Sequence, residues 1–305
     1  MKAVSQYLLA AVAALGMGTG LAGCGSGADD TSVAPAGRKV AVVAIERVYG
    51  DLARQIGGKD VVVTTILNSP SADPHAYEPT TRDADAIGAA DIVIENGLGY
   101  DAFADKVIAA TPRRGRIVID VGAERHHIGD NPHVWYDMPT VRLFTNAFAL
   151  ALAEHLDKAT GDAEGPALVT RALAIQSWAN ATQHRLALLG AKHRGALVAI
   201  TEPVFDYVLD AAAVKIATPP SFSHAIEEGN DPAPQDVDAM QAMLAHKSVA
   251  AFVYNTQTVE PATQRLLATA KAANVAVVPV TETLPQNLTT QHWIDGEIDA
   301  LDRAL

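Results

Sequence analysis

A single cysteine, Cys24, stands in a chain of 305 residues, so no internal disulfide can brace the fold and the thiol needs another purpose. Basic residues are scarce too: 23 Lys and Arg face 35 Asp and Glu, a formal net charge of −12. Neutralising a nucleic-acid backbone requires a basic face, and this balance argues against that class of partner. No apolar stretch reaches the roughly 20 residues that a spanning helix requires. Three catalytic signatures are missing as well: a His-Glu-x-x-His run, a Gly-x-Ser-x-Gly elbow and a Walker A loop. What is present is 49% hydrophobic content, enough for real cores in one large domain or two ordinary ones.

The amino terminus carries an address. Lys2 gives a positive start, Tyr7 to Leu15 is nearly all apolar, and small residues follow, as in a secretory signal peptide. Leu21-Ala22-Gly23-Cys24 resembles a bacterial lipobox, which gives Cys24 its purpose as the lipid-bearing residue. Residues 1–23 are therefore expected to be a lipoprotein signal peptide. Residues 24–38, small, polar and acidic, are expected to be a flexible tether.

Beyond the tether, short β-branched runs alternate with amphipathic stretches. Val40 to Ile45, Val61 to Leu67, Asp91 to Glu95 and Arg116 to Val121 read as buried strands, and Ala196 to Thr201, Val214 to Ala217, Val249 to Tyr254 and Val275 to Val280 repeat the scheme. The expected fold class is α/β: two lobes, each a mostly parallel sheet covered by helices. A helix after Pro139 is marked by Val141, Phe144, Phe148, Ala151 and Leu156, with Asp137 as its cap. Between the lobes, Leu168, Ala172, Ile175, Ala179, Thr182, Leu186 and Leu189 fall at alternating fours and threes, which places them on one helix face. Pro166 suits that helix's first turn and Gly190 its end, predicting a stiff spine of roughly 35 to 40 Å. The expected boundaries are 39–164 for the first lobe, 165–192 for the linking helix and 193–305 for the second lobe.

Four short patterns fall at the ends of predicted strands, where open α/β sheets present ligand sites. Asp73-Pro74-His75-Ala76-Tyr77-Glu78-Pro79-Thr80 and Asn131-Pro132-His133-Val134-Trp135 each set a histidine after a proline, which stiffens the backbone that presents the imidazole. Thr201-Glu202-Pro203 and Thr281-Glu282-Thr283 each supply a carboxylate. Taken alone, Glu202 reads equally as a helix cap and Glu282 as a solvated loop charge; the equivalent placement of all four patterns favours one shared site.

The patterns, their order and their spacing across nearly the whole mature chain resemble the metal-binding receptors of ABC-type zinc and manganese importers, the group that includes zinc-uptake and treponemal transport receptors. The resemblance implies two α/β lobes joined by a long helix, with a metal ion enclosed between them by His75, His133, Glu202 and Glu282. It further implies delivery of zinc or manganese to a membrane permease driven by a separate ATPase subunit, by a monomer anchored to the outer face of the bacterial cytoplasmic membrane. Many zinc-specific members have histidine at the third position and a long His-rich loop; this chain has Glu202, and only His126-His127 where such a loop would fall. The fourth position is commonly aspartate, so Glu282 is a longer arm. Two imidazoles with two carboxylates suit manganese by ligand type, and zinc by the general affinity order. Calcium and magnesium prefer all-oxygen shells.

Several neighbours are open to blander readings. His126 and His127 read as solvated loop residues, His224, Glu227 and Glu228 as surface, and Trp135 and Tyr77 as packing around the site. The alternative function is an exported metallohydrolase using the same ligands. Four protein ligands, however, close the position that a catalytic metal keeps open for water. A surface adhesin has no support beyond the anchor.

Overall fold

The structure, a computed structural model, describes residues 39–68, 77–125, 131–160 and 165–305. Cys24, His75, His126 and His127 lie outside the described residues. The first half carries strands β1 (Val40–Glu46), β2 (Val61–Leu67), β3 (Ile92–Glu95) and β4 (Ile117–Asp120), all parallel, in the order β2-β1-β3-β4. Its helices are α1 (Arg47–Gly57), α2 (Thr81–Ala89), α3 (Ala102–Ala110), the single turn α4 (Val121–Glu124) and α5 (Met138–Thr160). The runs Val40-Ala-Val-Val-Ala-Ile-Glu46 and Ile92-Val-Ile-Glu95 are buried almost throughout, as a parallel sheet covered on both faces requires.

Helix α6 (Gly165–Lys192) follows. The second half repeats the first: β5 (Leu197–Ile200), β6 (Lys215–Ile216), β7 (Ala251–Asn255) and β8 (Ala276–Val280) pair in parallel in the order β6-β5-β7-β8. Around them lie α7 (Asp206–Ala211), α8 (Pro220–Glu227), α9 (Pro234–Ala245), α10 (Pro261–Ala273) and α11 (Thr290–Ala304). Each predicted strand is present, with its ends shifted by at most two residues. The cap on α5 is Asp137, whose carboxylate accepts the Thr140 N–H at 3.0 Å.

The seven residues expected on one face of α6 are its buried residues, and the helix packs against α1, α5, α7 and α11. The helix spans Gly165–Lys192, the bounds expected for the linking helix, and Gly190 lies inside its last turn rather than ending it. Gly190 serves close approach instead, since a Cβ there would lie 2.2 Å from the Ala212 carbonyl oxygen.

The halves are more interlocked than a spine alone would make them. One apolar core runs from Val40 in β1 through Phe144 and Leu186 to Leu301 in α11. Helix α11 also crosses back onto the first half, where Asp51 accepts the Thr290 N–H and hydroxyl, both at 2.8 Å. Among the described residues no helix is long and apolar enough to cross a membrane.

Candidate metal centre

Because both sheets are wholly parallel, their carboxyl ends collect the loops that carry the sequence-predicted side chains. Glu202 and Glu282 stand just beyond β5 and β8, and His133 lies in the segment between α4 and α5. His133 is fully buried. Its Nδ1 lies 2.7 Å from Asn131 Oδ1, which also accepts the His133 backbone N–H at 3.0 Å. An amide oxygen only accepts, so the proton sits on Nδ1 and Nε2 is the nitrogen turned inward. Nε2 lies 3.3 Å from Glu282 Oε1.

A neutral imidazole lone pair and a carboxylate oxygen repel at that distance, so this geometry calls for a positive charge between them. A proton is one solution. Burial pulls the His133 pKa down, but the hydrogen bond and charge of Glu282, then the charges of Glu227 and Glu202, outweigh it and leave the pKa raised. A bound cation would satisfy the same pair.

Glu202 is buried at 6% exposure. It precedes a short 3₁₀ turn, Pro203–Phe205, but makes no side-chain cap bond to it, which removes the capping explanation. Its Oε2 instead accepts Asn255 Nδ2 at 2.6 Å. Burial pushes its carboxyl up to about 7, against hydrogen bonds from Asn255 and Thr258 that hold it down; the charge of Glu282 adds to the rise, and His133 opposes it. Glu282 is not a solvated loop charge. Its Oε1 accepts the Tyr100 hydroxyl at 3.1 Å, and its backbone N–H donates to Gln257 Oε1 at 2.6 Å.

Asn131 ties the halves together beside these groups. Its Nδ2 donates to the carbonyl of Pro203, next to Glu202, at 2.8 Å, and its own carbonyl accepts the Tyr207 hydroxyl at 2.7 Å. Trp135, 1% exposed, sets its ring edgewise to His133 at 5.3 Å, the apolar wall expected of it. Tyr77 packs elsewhere, against Phe103 at 5.0 Å, with its hydroxyl on Asp83. Glu227 is corrected from a surface residue to a neighbour of the site, its Oε1 3.9 Å from His133 Nδ1. It lines a cavity of about 660 Å³ together with Tyr100, Asn131 and Asp206. His224 and Glu228 line the same cavity and are exposed.

His133 and Glu282 are thus brought into contact, Glu202 acts on both through its charge, and His75 lies outside the described residues. Among the described residues no three His, Cys, Asp or Glu side chains are close enough to hold one ion. The supports that sequence reading missed are Tyr100, Asn131, Asn255 and Gln257. Asn131 stood inside a recognised motif, two residues before its histidine. Asn255 and Gln257 follow a recognised strand in a stretch, Asn-Thr-Gln-Thr, that carries no familiar pattern.

Two parallel sheets of one topology, with an imidazole of the first half against carboxylates of the second, define a two-lobed α/β fold whose candidate site lies at the strand ends. The chain belongs to the family described as zinc-uptake complex component A, periplasmic, whose sequence profile matches residues 42–304. It is 28% identical over 138 residues to the manganese-binding lipoprotein MntA of Halalkalibacterium halodurans, a stretch covering 44% of this chain and 46% of that protein. It is 29% identical over 143 residues to the zinc-binding protein TroA of Treponema pallidum, covering 44% of each. The chain thus spans under half the length of these curated relatives. The fold extends further: the solved periplasmic zinc-binding protein TroA from Treponema pallidum superposes with a TM-score of 0.71 at 18% identity, over 88% of this chain and 99% of that one. The Pseudomonas aeruginosa protein FpvC, solved in complex with Mn2+, gives a TM-score of 0.69 at 21% identity, over 88% and 98%. These names are those of metal-binding proteins, and the metallohydrolase alternative gains nothing from them.

Proposed function

We propose that this protein is not an enzyme but an extracytoplasmic receptor that captures one divalent transition-metal ion, zinc or manganese, and delivers it to the permease of an ABC importer. The ion is the cargo, held by His75 and His133 from the lobe spanning 39–164 and by Glu202 and Glu282 from the lobe spanning 193–305, with 165–192 as the link. Cys24 carries the lipid that keeps the receptor at the outer face of the membrane, and a separate ATPase subunit drives transport.

The observation that carries this reading is the His133–Glu282 pair, Nε2 3.3 Å from Oε1 with Nδ1 committed to Asn131. That geometry asks for a cation. The donor set fits a transition metal, because imidazole with carboxylate suits zinc and manganese and is foreign to calcium and magnesium. The sequence similarity to manganese- and zinc-binding proteins points the same way.

The test is elemental analysis of the purified mature domain after equilibration with equal free zinc and manganese. One equivalent of metal is expected, lost on substitution of His133. A protein that retains neither ion at micromolar free concentrations overturns the reading.

A further inference from the structure

Helix α1 reaches toward both members of the His133–Glu282 pair. Arg47, Asp51 and Gln55 fall four apart in it and so share one face. All three hold the connection that leads from Glu282 into α11. Arg47 Nη2 donates to the Gln286 carbonyl at 2.7 Å. Gln55 and Gln291 pair their side-chain amides reciprocally, at 2.8 and 3.0 Å. Asp51 Oδ2 accepts the Gln55 amide at 2.7 Å, and also the N–H and hydroxyl of Thr290, the fully buried first residue of α11. Helix α11 has no acidic residue in its first turn, and Thr289 before it serves the His292 N–H. Asp51, from the other half of the chain, is therefore the anion that meets the positive end of α11. Tyr49 lies on a different side of α1. Its hydroxyl donates to Asn96 Oδ1 at 2.6 Å, and Asn96 Nδ2 donates to the carbonyl of Pro132, the residue before His133, at 2.9 Å.

We propose that α1 is a brace that sets the spacing of this pair, with Arg47, Asp51 and Gln55 as positioning residues for Glu282, and that the brace slows escape of the bound ion. The inference rests on the metal-receptor reading above. Glu282 lies two residues beyond the end of β8, in a connection held at its near end by Gln257 and at its far end by α1. Freeing the far end leaves a loop that opens locally at low cost. An opened loop carries the carboxylate away from the imidazole, and an ion shared between the two is released. Capture from solution is limited by diffusion and changes little, so the effect falls on the rate of dissociation.

The experiment times zinc release from the loaded protein into excess chelator by stopped flow, and follows hydrogen exchange over 282–291 in the metal-free protein. Asp51→Ala removes the acceptor, Asp51→Asn keeps one oxygen to accept, and Gln55→Ala severs the amide pair alone should Asp51→Ala misfold. Asp302→Ala is the control: it frees α11 from Lys192 and His193 and leaves α1 untouched. The expected result is release faster by about tenfold or more in Asp51→Ala, by less in Gln55→Ala, and close to the parent in Asp51→Asn and Asp302→Ala. Exchange over 282–291 should quicken in the two α1 alanine variants only. Parental release rates in folded Asp51→Ala and Gln55→Ala overturn the brace and leave the receptor reading standing. Equal acceleration by Asp302→Ala does the same, because it marks a general loss of rigidity. A parent that binds no zinc overturns the receptor reading and with it any role of the brace in release, while the exchange data still decide whether α1 holds the segment.

Discussion

His133 and Glu282 lie 149 residues apart in the chain yet meet with Nε2 3.3 Å from Oε1. Neither side chain reaches across alone. Asn131 pins the ring from behind, while Tyr100 and Gln257 fix the glutamate's carboxylate and backbone. A pair held this firmly is preorganised, and removing either member should abolish function more than fold.

His133→Ala is accordingly expected to lower metal affinity by more than the roughly 10–100-fold that loss of a ligand's supporting partner brings. Far-ultraviolet circular dichroism should stay native, because the histidine lies in a connecting segment and not in a strand. His75→Ala should lower metal affinity alike. Chelator competition measures both, and variants that bind like the parent would remove these residues from the site.

Metal affinity should also weaken in acid. The Glu202 carboxyl is pushed up to about 7 and the His133 pKa is raised, so in acid protons compete with the ion at both groups, at Glu202 below about pH 7. Affinity is expected to rise with pH up to about 7, where Glu202 loses its proton, with at most a tenfold gain per unit for each proton displaced. Isothermal titration from pH 5.5 to 8.5 reads the slope. A flat profile would mean that neither group touches the ion.

Bound metal should stabilise the fold by mass action, since the unfolded chain brings no preformed site. At a free concentration 100 times Kd the gain is about 2.7 kcal/mol. Differential scanning calorimetry with zinc and with manganese checks it, and no shift with either would contradict the receptor reading.

Much of this was legible because parallel sheets write themselves plainly. Runs such as Ile92-Val-Ile-Glu95, buried on both faces, admit few other readings, and the 4-3 spacing of α6 has only one helical face to occupy. His133, Glu202 and Glu282 were visible because strand ends are where such folds bind ligands. The supports were not. Whether Asn255 touches Glu202 depends on how β5 and β7 sit side by side, a long-range pairing that no local spacing encodes. Glu227 was missed for the same reason, since it comes from the end of α8 and only packing brings it near His133. Gly190 misled because a glycine near a helix end ordinarily stops it, whereas here a neighbouring carbonyl demanded the missing side chain.

Buried acid away from the site sets a second pH dependence. Glu95, 6% exposed, is pushed up to about 8 by burial, then by the charges of Asp101, Asp105 and Asp120. Between the ordinary glutamate value and about 8 the folded protein holds a proton that the unfolded chain has lost. Stability must therefore fall as pH rises through this window, by up to about 1.4 kcal/mol per pH unit. Glu95→Gln removes the titration, so urea unfolding of the variant should vary less from pH 5 to 8 than that of the parent. An equal slope in both would place the titrating group elsewhere.

Two glycines in long helices give opposite predictions. Alanine is better than glycine in a helix interior by about 1 kcal/mol, and at Gly296 in α11 a Cβ would meet nothing within 4 Å. Gly296→Ala should stabilise by up to that amount. At Gly190 in α6 the same change drives a Cβ to 2.2 Å from the Ala212 carbonyl oxygen and 2.9 Å from its carbon. Backbone cannot swing aside as a flexible side chain does, so overpacking of roughly 1–3 kcal/mol should outweigh the propensity gain. Urea midpoints of the two variants should move in opposite directions. A stabilised Gly190→Ala would mean that α6 and the segment around Ala212 do not pack as tightly as this structure places them.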